Sequence, residues 1–212
     1  MCGVVTGDRN ASGNQAQGSQ VHQLFLARAN GSNGGHFVRF PRAPYYLEGS
    51  MPTQSWQQII ASSLDWNQAH TSLDDAIDGL APADRGRRPD RYPHSVWQLL
   101  EHIRIAQTDL LDFCINAEYS HDLAWPGDYW PDDPAPPSDD AWDVCVTAIR
   151  KDRAALAEFT AGGSVDLAAA IPHGTGQTYL RTVLVAVDHS AYHVGQIVDV
   201  RRLLGVWRLD AP

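Results

Sequence analysis

The chain has 212 residues, of which 43% are hydrophobic and 19% charged, a composition typical of one globular domain with an appendage. Its 25 acidic against 16 basic side chains give a formal net charge of −9. That charge repels phosphate backbones and anionic lipid headgroups, so we expect no nucleic-acid partner and no membrane partner. The single lysine, Lys151, follows no glycine-rich turn, which excludes a Walker-type phosphate loop.

Cysteine usage and hydropathy indicate the compartment. Cys2, Cys114 and Cys145 form no C-x-x-C pair and no disulfide framework, which suits a reducing cytosol. The longest apolar runs fall far short of the roughly 20 residues that cross a bilayer. No secretory signal is readable at the N-terminus. We therefore expect a cytoplasmic protein.

Composition divides the chain at Met51. Residues 1–50 hold 8 of the 17 glycines and show no sustained period of 3.6 or 2, which predicts a flexible, low-complexity extension. Helical periodicity begins in the remainder, so residues 51–212 are predicted to form the folded domain.

The first predicted helix follows Met51 directly. Ser55 and Gln58 match a capping box, in which each side chain satisfies a backbone N–H at the start of a helix. Apolar positions recur three and four residues apart as far as Gly79. They predict an inner face of Trp56, Ile59, Ile60, Ser63, Trp66, His70, Leu73 and Ile77.

A second box at Ser95 and Gln98 predicts the next helix. Its buried stripe is Leu99, His102, Ile103, Ala106, Leu110 and Phe113. Residues 119–137 then hold five prolines and no period. Long loops are usually functional or disordered, and Trp125, Tyr129 and Trp130 favour an ordered, packed loop here.

Two further helices complete the domain. Ser138 caps the third, which ends at Gly162 and has the inner face Trp142, Cys145, Val146, Ile149, Leu156 and Phe159. The fourth runs from about Gln177 to Leu204, with the stripe Thr182, Val185, Ala186, His189, His193, Gln196, Val200 and Leu203. Four amphipathic helices with no strand between them predict an all-α fold, a four-helix bundle.

Three histidines fall on these inner stripes. His189 and His193 stand at i and i+4, so their rings lie above one another on the fourth helix, and His102 faces inward from the second. Three inward histidines are the ligand number of a catalytic zinc-type site with one open position. The alternative is a buried polar network in which the rings bond to Gln196, Tyr192 or water. His70 is a candidate fourth ligand or proton carrier. The alternative is a histidine in the core or at its edge whose ring nitrogens are already hydrogen-bonded.

Two segments carry a resemblance to a known family. Residues 93–107, PHSVWQLLEHIRIAQ, and residues 188–197, DHSAYHVGQI, followed by RRLLGVW at 201–207, resemble the DinB/YfiT-like superfamily. The resemblance covers Met51 to about Trp207. It implies a four-helix bundle in which one histidine of the second helix and an H-x3-H pair of the fourth bind a divalent metal, often zinc or nickel. Those positions are His102, His189 and His193 here.

Two functions from different classes are open for such a site, and the resemblance implies the thiol-dependent form of the first. The first is a metal-dependent enzyme, a thiol-dependent S-transferase or a hydrolase, that uses a low-molecular-weight thiol as cofactor and a small electrophilic molecule as substrate. The second is a non-catalytic, metal-stabilised bundle that forms a homodimer.

The remaining polar residues are expected to play structural roles. Asp188 and Tyr192 flank the ligands and are candidates to orient a ring or a substrate. Solvated helix faces are predicted for Glu101, Arg104, Arg201 and Arg202, and no metal role for His94, His121 and His173. Cys114 and Cys145 are predicted to be small core residues.

Overall fold

The structure is a computed structural model that describes residues 54–65 and 69–207. These residues form five α-helices: α1 (Trp56–Ser63), α2 (Leu73–Ile77), α3 (Val96–Ile115), α4 (Asp139–Ala161) and α5 (Tyr179–Leu203). The described part of the chain contains no strand, only an isolated bridge between Ala170 and Thr178. The predicted all-α bundle is confirmed, and the predicted extension, residues 1–50, lies outside the described residues.

None of the described helices has a stretch long and apolar enough to cross a lipid bilayer.

The predicted capping residues begin the long helices. The Ser95 hydroxyl accepts from Gln98 N–H at 3.1 Å, and Gln98 Oε1 accepts from Ser95 N–H at 3.2 Å, so the capping box of α3 is confirmed. Ser138 caps α4 by accepting from Ala141 N–H at 3.1 Å. Each cap satisfies a donor that the helix itself leaves unpaired, which fixes where the helix starts.

The prediction of one long first helix is wrong. Helix α1 ends at Ser63 and α2 begins at Leu73, where the Ser72 hydroxyl caps α2 by accepting from Asp75 N–H. Near the end of α1 the Ser62 and Ser63 hydroxyls bond back to carbonyls of the same helix, which competes with continued helix formation. The predicted inner residues Trp56 and Ile59 are consequently exposed.

Helix α3 lies in contact with both α4 and α5, while α1 packs on α4 and α2 packs on α5. Apolar side chains form two buried clusters along this bundle. The first joins α2, α4 and the C-terminal half of α5 around Leu99 and Ile103, and the second surrounds Leu111 and Val183. Burial of such side chains is the main source of helix stability in a bundle.

The buried stripe of α5 is rotated from the predicted one. Val185 and Leu203 were expected inside and are exposed, whereas Val183, Val194 and Ile197 are buried. The rotation follows from the packing, because α5 is contacted by α2 as well as by α3. Periodicity alone gives the width of an apolar stripe but not which edge a second partner covers.

The rotation also buries Arg201, so the prediction of a solvated face for this residue is wrong. Its side chain is 1% exposed. The guanidinium donates to the carbonyl oxygens of Ala76 and Val206 at 2.5 and 3.3 Å and lies 5.0 Å from the centre of the Trp207 ring. This buried cation therefore fastens α2 and the C-terminal turn to α5.

Glu101 and Arg104 likewise depart from the solvated face predicted for them. They form a half-buried pair with two contacts, at 2.9 and 2.6 Å. Arg202 is exposed, as predicted.

The loop of residues 119–137 is ordered and packed in part, as predicted. The Ser95 hydroxyl donates to the carbonyl of Pro134, and Gln98 Nε2 donates to the carbonyl of Pro131 at 3.1 Å. Tyr129 is buried, whereas Trp125 is 72% exposed. The first turn of α3 thus holds the loop with the same two side chains that cap the helix.

This double role predicts that Ser95→Ala destabilises the protein more than Ser138→Ala. The exposed cap at Ser138 should contribute about 1 kcal/mol. Loss of the buried Ser95 hydroxyl also leaves the Pro134 carbonyl unpaired, so the total should reach about 2 kcal/mol or more. Urea unfolding of the two variants measures the difference. Equal losses would show that the bond to the loop contributes nothing.

Candidate metal centre

Three histidines meet at the contact between α3 and α5. One ring nitrogen from each of His102, His189 and His193 lies within 4.8 Å of the others, and His189 Nε2 stands 2.9 Å from His102 Nε2. Along α5, His189 and His193 lie between Ala186 of the second apolar cluster and Val194 of the first. The three predicted ligands are therefore brought together inside an apolar part of the bundle.

His102 is held on two sides by the loop of residues 119–137. Its Nδ1 donates to the carbonyl of Tyr129 at 2.8 Å, and the Trp130 indole stacks on its ring at 3.7 Å with an interplanar angle of 6°. The side chain is 2% exposed. Because a carbonyl only accepts, the proton sits on Nδ1 and the Nε2 lone pair faces the other histidines.

His193 is held by a side chain of its own helix. Its Nδ1 faces Gln196 Oε1 at 2.6 Å, and Gln196 Nε2 donates to the Tyr192 hydroxyl at 3.3 Å. The ring is 6% exposed, while Tyr192 is 63% exposed. An oxygen acceptor at Nδ1 leaves Nε2 of His193 as the nitrogen with a free lone pair.

His189 completes the group through Nε2. Since His102 presents a lone pair at its own Nε2, the 2.9 Å contact requires His189 Nε2 to carry the hydrogen and donate it. A shift of that hydrogen to Nδ1 frees the Nε2 lone pair of His189 without removing a proton from the group. The donor set thus fits a metal ion by a change of tautomer alone.

Burial keeps the three rings neutral. It lowers the pKa of His189 from 6.5 to about 4, with repulsion from the neighbouring rings of His193 and His102 adding to the effect. Burial also lowers the pKa of His193 to about 4, against the opposing effect of the hydrogen bond that the ring donates to Gln196 Oε1. The pKa of His102 is lowered as well, again by burial first. At neutral pH protons do not compete with a cation for these nitrogens.

The group of three histidines could hold a metal ion. Nitrogen ligands about 2.0–2.1 Å from a tetrahedral ion lie about 3.3 Å apart. In the cluster one pair of nitrogens is 2.9 Å apart and all three lie within 4.8 Å of one another. Among the described residues the group consists of three histidines, with no fourth histidine, cysteine or carboxylate in it. Three protein ligands leave one position for a small molecule.

The other histidines named from the sequence stay outside this group. His70, the candidate fourth ligand, is exposed and its Nδ1 bonds to the Thr71 carbonyl at 2.9 Å. His121 bonds to the Tyr129 hydroxyl, and His173 bonds to the Phe113 carbonyl. Of the two flanking residues, Asp188 is exposed and Tyr192 contacts the site through Gln196.

Two features of the site escape sequence reasoning. The Tyr129 contact uses a backbone carbonyl, which no residue pattern reveals. His94, for which no metal role is predicted, stacks on Trp130 at 3.9 Å with an angle of 10°, while His102 stacks on the same indole at 3.7 Å. Two near-parallel rings this close to one indole lie on opposite faces, so Trp130 separates His94 from the cluster. The aromatic residues of the loop were the one feature of the sequence that indicated its packing near the site.

Comparison with known proteins identifies one family. A family model described as the DinB superfamily matches residues 65–197, more than half of the 212-residue chain. The matched range contains all three clustered histidines and Gln196. No curated protein and no solved structure matches the chain.

The lowered pKa values predict how stability of the metal-free protein depends on pH. Above pH 6.5 the rings are neutral in both the folded and the unfolded state. Between pH 6.5 and about 4 the unfolded state binds more protons, so the free energy of unfolding should fall as the pH falls through this window. Thermal unfolding at successive pH values measures the slope. His189→Gln is the control, because removing one of the three lowered pKa values should reduce the slope; an unchanged slope would contradict the prediction.

Proposed function

The chain belongs to the DinB superfamily, and on that basis we propose that His102, His189 and His193 bind one divalent metal ion, zinc or nickel, as the centre of an enzyme. The observation that carries the proposal is the convergence of three neutral imidazoles in an apolar interior. The rings of His102 and His193 each donate a hydrogen bond from Nδ1 to an oxygen acceptor. Metal-binding histidines commonly donate their other N–H in this way.

A bound divalent ion supplies Lewis acidity, which lowers the pKa of a water or thiol beside it and stabilises developing negative charge. The protein's residues supply the setting. The ligands are neutral, so they leave the positive charge of the ion uncompensated. Trp130 covers one face of His102 and keeps water from that side.

The described cysteines are unsuited to act as nucleophiles. Cys114 and Cys145 are both buried. Burial raises the pKa of Cys114 to about 12 and raises the pKa of Cys145 as well, so both stay protonated at neutral pH. An attacking thiolate therefore does not come from Cys114 or Cys145. A water or a low-molecular-weight thiol can supply the attacking group instead.

We accordingly propose a thiol-dependent S-transferase or a hydrolase that acts on small electrophilic molecules. Access on the α5 side is supported by Tyr192, which is exposed while its ring lies 5.0 Å from that of His193. A solvent-exposed aromatic ring next to a buried ligand offers an apolar surface on which a small substrate can rest.

The metal proposal predicts that His193→Ala lowers bound zinc or nickel well below one ion per chain. Two imidazoles remain after this change, and two ligands bind a divalent ion much more weakly than three. Element analysis after dialysis against a metal buffer measures the occupancy. His70→Ala is the matched control, since His70 is exposed and lies outside the cluster. Full occupancy in both His102→Ala and His193→Ala would refute the site.

Catalysis is tested on the metal-loaded wild-type protein. Glutathione, bacillithiol and mycothiol are each offered with chlorodinitrobenzene or an epoxide, and ester and amide hydrolysis is followed in parallel. We expect turnover that requires the metal and is lost in His193→Ala. If nickel is bound, no thiol changes the absorption spectrum of the nickel-loaded protein and the protein is a dimer in solution, the non-catalytic, metal-stabilised dimer is the better description.

A further inference from the structure

We propose that Gln196 is a positioning residue of this centre, whose side-chain oxygen holds His193 in the ring tautomer that can bind a metal. The inference rests on the proposed metal site. It concerns the protein's own amide, however, and part of it is measurable without any metal. Gln196 lies one turn beyond His193 on α5, and its side chain bridges the His193 ring and the Tyr192 hydroxyl.

The oxygen and the nitrogen of the Gln196 amide require opposite hydrogen-bonding roles of the His193 ring. If Oε1 faces His193, the ring must donate from Nδ1, and Nε2 keeps its lone pair. If the amide nitrogen faced His193 instead, the ring would accept at Nδ1 and carry its hydrogen on Nε2, which would block metal binding there. The structure has Oε1 toward His193, at 2.6 Å.

Tyr192 does not decide between these orientations. A tyrosine hydroxyl both donates and accepts, so it can pair with either end of the amide. The exposed Tyr192 bond is also long, at 3.3 Å. The orientation of the Gln196 amide and the tautomer of His193 are therefore coupled to each other, and the Tyr192 hydroxyl can donate or accept to match either orientation.

The three ligands differ in how they are held. His102 is fixed by a backbone carbonyl, which no side-chain substitution removes, and His189 bonds to another ligand. Gln196 is thus the side chain through which the ligand geometry of His193 can be changed without touching a ligand. Loss of such an outer partner typically costs about 10- to 100-fold in metal affinity.

The test compares Gln196→Met, which has no oxygen acceptor, with Gln196→Glu, which presents an acceptor in either orientation. Tyr192→Phe is the matched control, because it removes only the outer partner of the amide. Zinc affinity is measured by competition with a chromophoric chelator. We expect a loss of about 10- to 100-fold in Gln196→Met, an affinity at or above wild type in Gln196→Glu, and a change within about threefold in Tyr192→Phe.

The metal-free protein supplies an independent readout. Ring nitrogen chemical shifts from ¹H–¹⁵N spectra report which nitrogen of His193 carries the hydrogen. Wild type and Gln196→Glu should show the hydrogen on Nδ1, and Gln196→Met should show a mixture of tautomers. Circular dichroism checks that all variants are folded, and recovery in Gln196→Glu separates positioning from a loss of packing.

The outcomes distinguish the two proposals. If wild type binds no zinc but Gln196→Met shifts the His193 tautomer, the metal site fails and the positioning role of Gln196 stands. If wild type binds zinc and Gln196→Met retains both the affinity and the Nδ1 tautomer, the positioning role is overturned and the metal site stands.

Discussion

The structure depends on the burial of His102, whose ring has two polar nitrogens and almost no access to water. An unpaired buried polar group costs roughly 1–3 kcal/mol, so both nitrogens need partners. The loop of residues 119–137 supplies one through the Tyr129 carbonyl, and α5 supplies the other through His189. One ring therefore joins the second half of the bundle to the loop that follows α3, and the ligand group forms where these segments meet.

The start of α3 prepares that arrangement. Ser95 and Gln98 cap the helix and also bind carbonyls of the loop, so helix initiation and loop placement use the same atoms. Trp130 continues the contact by lying flat on His102. Because the loop is held at both Pro131 and Pro134, the nearby Tyr129 carbonyl has little freedom to move away from the histidine. The site is thereby preorganised by local structure several residues away from it.

The same burial determines the chemistry open to the site. Apolar surroundings disfavour charge, which keeps the imidazoles neutral and able to coordinate, and keeps the thiols of Cys114 and Cys145 protonated. The interior thus offers lone pairs for a cation but no activated nucleophile among the described cysteines. A divalent ion with an external water or thiol is the combination that fits both properties.

The sequence by itself determined the features that depend on neighbours along the chain. The capping residues Ser95 and Ser138, the helices they begin and the i, i+4 spacing of His189 and His193 are local, because each involves residues within one turn. The family resemblance, carried by short segments around the histidines, identified the three residues that the fold brings together. The homodimer, the cytoplasmic location and the extension of residues 1–50 stay predictions.

Only the tertiary structure decided the features that depend on distant partners. The division between α1 and α2 is the exception, because it rests on local serine hydrogen bonds that periodicity does not record. Contact with α2 rotates the buried face of α5 and draws Arg201 inside, where carbonyls from two other segments satisfy it. The Tyr129 carbonyl is common to all residue types, so its bond to His102 leaves no mark in the sequence. Periodicity shows only where apolar residues recur along the chain. The packing of distant segments determines which neighbour covers each residue and which polar groups are buried among apolar side chains.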